Sequence, residues 1–527
     1  MIRGARLGAV AVTCCAALVL AACGGGESDG SSRTSENGAS GATGNPVPGG
    51  EGRILLLSEP RSLDPAALNN VYAAGAAVGN ALYGTLMTNN EAGEIQYSMA
   101  ESFTTPDNGA TFELKLRPGL AFSDGTALTA EAVKYNWDRI KDPKLGAFSR
   151  AEAAMIASSE VEDETTLKVT MVAPVPKYAQ AIVTSTLNWI AEPAALEKGQ
   201  QKFDTQPIGA GPFTLSKWTR QAEMELVRNT RYWDAPKPYL DRLSLRPATD
   251  SSQRYNTVLT GGADLAVESS WVNLDKAKQA RLSTNVMQLS GGIFIALNLR
   301  SEPFSDIRAR QALAAAIDIE TLNLAAYSGT AEAADTLFSK ISPYHSDVPL
   351  HTTDHDKAQR LFDELAGEGK PVTFTFKTPP TTENRAVAEN IQTQLSTFRN
   401  VKAEVKVIEV AEFSQLRTTH DFDAAASSAL FQDPDPRLTT TFAGDSPANL
   451  TGIDDAVLNE SLQAGRVART EAEAKDAYVT VQERLAVVTP VIFTVRAAPS
   501  TISSPNVGGI VQYGIGSLLP SELWIKP

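Results

Sequence analysis

Apolar and polar positions along this chain fall into two textures. In the first half, short runs alternate with a period of two, the signature of half-buried strands. The pattern predicts a strand over Gly52 to Leu57, and FELKL places Phe112, Leu114 and Leu116 on one face. TLKVTM, MELV, RLSLRP and DLAV read the same way. Between FELKL and TLKVTM the period changes: Val133, Trp137 and Ile140 stand at i, i+4 and i+7, which predicts a helix from about Ala130 capped by Thr129. From about residue 291 strands and helices take turns. GGIFIALNLR predicts a strand and SDIRARQALAAAIDIETLNLAAY one long helix. PVTFTFK, TENRAVAENIQTQLSTF, KAEVKVIEV, AEFSQLRTT and DFDAAASSAL then alternate strand with helix. This order predicts a largely parallel α/β sheet, whose ligands bind beyond the carboxyl ends of its strands. SSALFQDPDPR, residues 427 to 437, is such an end. Its two Asp-Pro pairs break both sheet and helix, so an open loop is expected there.

The N-terminal texture differs from both. Arg3 and Arg6 precede an apolar run of 16 residues, Leu7 to Ala22, short for a spanning helix and suited to a secretory leader. Leu20-Ala21-Ala22-Cys23 resembles the bacterial lipobox, which implies cleavage after residue 22 and lipidation of Cys23. The three cysteines are Cys14, Cys15 and Cys23, so a chain beginning at Cys23 has one thiol and no disulfide framework. Acyl chains on it would hold the protein at the extracytoplasmic face of the cell membrane. Residues 23–50, rich in Gly and Ser and ending in Pro46 and Pro48, read as a flexible tether.

Charge and composition narrow the function. A chain of 527 residues needs more than one lobe. Its net charge of -14, with no basic stripe, argues against nucleic acid as a partner. His351 and His355 have helical spacing around Asp354, but after Pro349 the segment HTTDHD reads as a helix cap and not as a metal site. No P-loop is present, and no G-x-S-x-G elbow follows the Gly/Ser-rich tether, where GDSPA at 444 to 448 only approaches one. The chain therefore reads as no enzyme, with no cofactor.

Three longer segments carry a resemblance. MAESFTTPDNGATFELKLRPGLAFSDGTALTAEAVKYNWDRI (99–140), PIGAGPFTLSKW with LVRNTRYWDAPKPYLDRL (207–243) and ALNLRSEPFSDIRARQALAAAID (296–318) resemble the bacterial extracellular solute-binding proteins of family 5, the oligopeptide, dipeptide and nickel class. SEPRSLDPA (58–66) and the tail from Ile453 to Trp524 extend it over nearly the whole body. The resemblance implies an α/β, two-lobed periplasmic-binding-protein fold of class II, with a hinge and an interlobe cleft. It places one lobe at 51–290, with a subdomain at about 85–204, a second at 291–497, and a return to the first at 498–527. It further implies a monomer that delivers a peptide or peptide-like solute to a membrane permease and its ATPase. A sensor for a peptide signal, or a carrier of a metal chelate or oligosaccharide, would share this fold.

Within these segments most motif residues read as structural. Asp124-Gly125 is a turn, Gly209 and Gly211 let the backbone bend into the next strand, Tyr232 and Trp233 pack, and Arg308 and Arg310 sit on a helix surface or pair locally. The site is expected at strand ends. In peptide-binding members the loop after the DFDAAASSAL strand resembles Trp-x-x-Asp-x-x-(Asp/Glu)-Pro, whose first Asp receives the peptide ammonium. Aligned on Asp433-Pro434, this chain has Ser427 in place of the Trp and Leu430 in place of the Asp. Ser428, Phe431 and Gln432 complete that wall, and Asp433 or Asp435 is a candidate substitute from a shifted register. Other candidates are Glu59 and Arg61 after the first strand, Glu268 and Trp271 after DLAV, and Asn298 in the NLR turn. Lys377 stands where dipeptide binders carry an Arg for the ligand carboxylate.

Overall fold

A computed structural model of the protein describes residues 41–527, apart from Ala74 and the side chains at positions 410, 411, 414 and 417. The leader, Cys23 and the tether as far as residue 40 lie outside the described residues. The last ten tether residues run along the body: the Ala42 amide donates to the Val507 carbonyl (2.9 Å) and the Gly49 amide to the Tyr239 carbonyl (2.7 Å).

Three sheets organise the chain. The largest has seven strands in the order Ser283–Val286, Ser500–Ser503, Leu265–Glu268, Glu51–Leu56, Arg242–Pro247, Glu223–Arg228 and Phe213–Thr219. Glu51–Leu56 runs parallel to both its neighbours, and the other pairings are antiparallel. Beside it lies a four-stranded antiparallel sheet of Ala100–Thr104, Thr111–Leu116, Thr166–Met171 and Ile156–Val161. The alternation in FELKL has the expected result, since Phe112, Leu114 and Leu116 are all buried. Phe112 stacks on Phe103 with ring centroids 4.6 Å apart. Helix Ala130–Ile140 covers this core with Val133, Trp137 and Ile140, and the Thr129 side chain accepts from the Ala132 amide as its cap.

The five-stranded sheet runs Val401–Val407, Val372–Thr378, Ala424–Phe431, Ser290–Leu297, Val491–Phe493. Only its first three strands are mutually parallel. Ser290–Leu297 is antiparallel to both its neighbours, so the sheet is mixed and not largely parallel. The expected long helix is also two: Ile307–Ala316 and Ile319–Tyr327. Asp318 accepts from the Thr321 amide and starts the second, so a polar residue inside a helical run acts as a cap. Asp354 does the same for helix His355–Gly367, as read from HTTDHD. Arg308 pairs with Asp306 and Glu368 near the surface. Arg310, by contrast, is buried and donates to the carbonyls of Phe304 and Val488. Gly209 and Gly211 are needed less for bending than for close approach. A Cβ at either would collide with backbone carbonyls at the end of helix Ala76–Tyr83.

Two chain segments cross between the seven- and five-stranded sheets, after Val286 and after Phe493, and the Met287 amide donates to the Pro499 carbonyl (2.9 Å) where they run together. Trp271 closes this junction. It packs against the cores of both lobes, and its indole N–H donates to the Arg496 carbonyl at 3.0 Å. Two crossing segments, with an aromatic packed against one of them, form the hinge of this fold.

Candidate functional site

A crevice opens where the strand Ala424–Phe431 ends, between the five-stranded lobe and the four-stranded subdomain. Its empty volume, open mouth included, is ≈ 410 Å³. From the subdomain side come Asn89, Glu152, Gln180 and Thr184, and from the returning tail Ile515. The opposite wall is the Asp-Pro loop: Leu430 to Asp433, Asp435 to Arg437, and Thr440. The loop stays open because neither proline can donate to a ladder or a helix turn, and helix Arg437–Phe442 begins only after Pro436.

Alternation along the strand separates Leu430 from Phe431. Phe431 points into the lobe core, edge-on to Phe338 at 5.7 Å. Leu430 points the other way, into an apolar cluster of Val71, Tyr72, Met287, Leu289 and Ile515 that joins the lobes. The leucine in the position of the family's ammonium-binding Asp is therefore a packing residue.

The two aspartates of the loop are already engaged. Asp433 accepts from the Lys177 ammonium at 2.6 Å, across the lobes, and Lys177 also donates to the Tyr344 hydroxyl at 2.8 Å. Burial drives the Asp433 carboxyl above the usual carboxylate range, against the Lys177 charge. For Lys177 burial works downward, but the Asp433 charge and hydrogen bond together with Tyr344 outweigh it and hold the ammonium above its ordinary value. Asp435 lies beside Arg466 (3.3 Å) and accepts from Thr439 Oγ1 (3.0 Å). Two further bridges cross between the lobes. Gln432 Nε2 donates to the Asn90 carbonyl (3.3 Å), and Ser270 Oγ donates to Glu383 (2.6 Å) in the first turn of helix Thr382–Leu395.

Several groups in the crevice remain without partners. Glu152 Oε2 and Gln432 Oε1 are buried and accept no hydrogen bond. Arg437 also lines the crevice, and no ion pair or side-chain hydrogen bond engages its guanidinium among the described residues.

Of the residues singled out from sequence, Leu430, Phe431, Gln432, Asp433 and Asp435 come together here, and the others do not. Ser427 is half-buried and Ser428 exposed, both short of the crevice. Glu59 accepts from Trp218 Nε1 (3.0 Å) and the Gln221 amide (2.8 Å), and Arg61 offers its carbonyl to Arg220 (3.1 Å). These are contacts within the seven-stranded lobe. Trp271 is the hinge residue, and Glu268 is locked to Arg254 in a fully buried pair at 2.7 Å. Asn298 binds the carbonyls of His420 and Phe422 at the far end of the five-stranded sheet. Lys377 is paired in register with Ala425 and donates to the Asp421 carbonyl at 2.5 Å. The six residues from Ala425 to Phe431 put it roughly 20 Å from the crevice at about 3.3 Å per residue. Glu152, Gln180, Lys177 and Tyr344 carried no sequence signal, because each comes from a segment distant from the loop. Arg437 was within reach, as the last residue of SSALFQDPDPR.

Residues 94–449 match the family described as bacterial extracellular solute-binding proteins, family 5 middle. The chain belongs to this family. It is thus an extracytoplasmic binding protein and not an enzyme. Among its curated relatives, the glutathione-binding protein GsiB of Shigella boydii serotype 4 is 30% identical over 368 residues, 68% of this chain and 70% of that one. GsiB of Escherichia coli K12 is 29% identical over the same span. Solved structures share the fold. AgaA of A. tumefaciens R10, in complex with agropinic acid, is 24% identical, covers 91% of this chain and 99% of its own, and has a TM-score of 0.79. The oligopeptide-binding protein AppA of Bacillus subtilis, bound to a nonapeptide, covers 92% and 100% at 20% identity and a TM-score of 0.78. DppA of Helicobacter pylori, bound to the peptide STSA, covers 91% and 99% at 21% identity and a TM-score of 0.79.

Proposed function

We propose that this family member captures a small peptide-like solute between its lobes and hands it to a membrane permease driven by an ATPase, while lipid on Cys23 holds it at the membrane surface. The observation that carries this reading is the crevice itself. Both lobes supply its walls, so a solute seated there touches both and favours their closure over their separation. GsiB, by its name a glutathione-binding protein, supports a small peptide-like solute. The test is isothermal titration of the purified protein with reduced glutathione, dipeptides, tripeptides and a maltooligosaccharide. Binding of one or more peptide-like compounds, with no heat from the sugar, is the expected result. Binding of the sugar alone, or turnover of any bound compound, contradicts it. Replacing Cys23 by Ala should release the protein from the membrane fraction, and unchanged membrane recovery would contradict the anchor.

A further inference from the structure

The charges that meet between the subdomain and the five-stranded lobe are unbalanced on their own sides. Lys177 is the N-cap residue of helix Tyr178–Val183, and its side chain makes no capping bond there. A cation at a helix N-terminus meets the positive end of the helix dipole, so the subdomain gives this ammonium no local support. Its partners among the described residues lie in the other lobe. They are Asp433 Oδ2 at 2.6 Å, the Tyr344 hydroxyl at 2.8 Å, and the Tyr344 ring with its centroid at 5.2 Å. Asp433 is in the converse position. Among the described residues its own lobe offers it the Asp435 amide (3.1 Å), while the Asp435 charge opposes its own. Arg466 of the same lobe pairs with Asp435 and not with Asp433. The Asp433 side chain is 12% exposed and that of Lys177 33%, so the pair is screened less than one on the open surface. Tyr344 is held by rings of its own lobe, edge-on to Phe338 (5.7 Å) and Tyr478 (5.2 Å). The receiving side is therefore built in advance, and the lysine has only to arrive.

We infer that Lys177 is a latch of the chain's own: its ammonium, seated on Asp433 and Tyr344, holds the two lobes together without any contribution from a solute. Closure is then an equilibrium that the protein itself biases, and a solute adds its contacts to a closed population already maintained. Gln432 Nε2 on the Asn90 carbonyl (3.3 Å) is a neutral tie along the same seam. The latch has a kinetic consequence. It slows both entry and escape of whatever the crevice holds, so Lys177 acts as a positioning residue and not as one that recognises the solute.

The experiment is double electron–electron resonance on the full chain in detergent, dialysed free of solute. Spin labels go on keto-bearing unnatural residues, so that no cysteine is touched. One stands at exposed Glu91, beside Asn90 on the subdomain, and one at exposed Asp445, in the loop after helix Arg437–Phe442. The wild type is compared with Lys177→Met, Asp433→Asn, the double variant and Tyr344→Phe. The last removes a single hydroxyl and still reports on the latch should a charge variant not fold. A short distance is expected to dominate in the wild type. The closed-to-open ratio should fall at least about fivefold in Lys177→Met and in Asp433→Asn, between the effect of an exposed ion pair and that of an interfacial one. The double variant should fall no further than either single variant, because both remove one interaction. Tyr344→Phe should shift the ratio the same way by less. Wild-type distances in Lys177→Met and Tyr344→Phe, or a wild type that is already open, overturn the latch. No solute is added, so these outcomes are separate from the titrations that test solute capture.

Discussion

Leu430 shows how one side chain redirects a site. Leu430 packs with Val71, Tyr72, Met287, Leu289 and Ile515, so an acid there would lie against an apolar patch. Leu430→Asp should therefore weaken binding of the native solute, not improve it, and should cost roughly 2–4 kcal/mol of stability in chemical denaturation. Tighter binding of free-amine peptides by this variant would show that the position still reads an ammonium. The residue scale is also where sequence is least informative. Asp433 and Asp435 look alike in DPDP, yet one reaches across to Lys177 and the other stays with Arg466 and Thr439 in its own lobe. Nothing in the linear order distinguishes them, because the partners arrive from 256 and 31 residues away.

At the scale of elements the periodicities were easier to read. Alternation in TFELKL and the i, i+4, i+7 spacing in the helix after Thr129 found their faces because each needs only neighbouring residues to be interpreted. The run through Ile307–Tyr327 was misjudged for the complementary reason. Ala-rich sequence continues across Ile317 and Asp318, and only the Asp318 side chain on the Thr321 amide shows that a new helix begins. Asp318→Ala should lower stability by about 1 kcal/mol, seen as a shift of the denaturation midpoint with unchanged slope. No shift would mean that packing alone sets the break. Sheet direction was misread likewise, because strand–helix alternation says nothing of Ser290–Leu297, which enters its sheet antiparallel from the other lobe. Lys377 and Asn298 fell at the wrong end of that sheet for a related reason. A strand-end motif identifies an edge, but only the register shows which edge carries the crevice.

For the whole molecule, function rests on two lobes joined by Trp271 at the hinge, by the apolar cluster around Leu430, by Lys177 with Asp433 and Tyr344, by Gln432–Asn90 and by Ser270–Glu383. The last gives closure a pH dependence. Burial, reinforced by the Glu268 charge and opposed by the Ser270 hydroxyl and Arg254, holds the Glu383 carboxyl above the usual glutamate range. A carboxyl that binds its proton more tightly when enclosed contributes stability fully below its ordinary pKa and loses it as pH rises through the raised value. Glu383→Gln keeps an acceptor for Ser270 and removes the proton. Its melting temperature should therefore gain on the wild type as pH rises through that interval, and parallel profiles would contradict the assignment. The central proposal is that a peptide-like solute is held between the lobes. Native mass spectrometry of the chain from residue 41, purified from its own host and then incubated with reduced glutathione and dipeptides, tests that most directly. A one-to-one complex with glutathione or a dipeptide is the expected result. A complex formed only with a solute that is not peptide-like, or none with any peptide-like compound, would contradict the proposal.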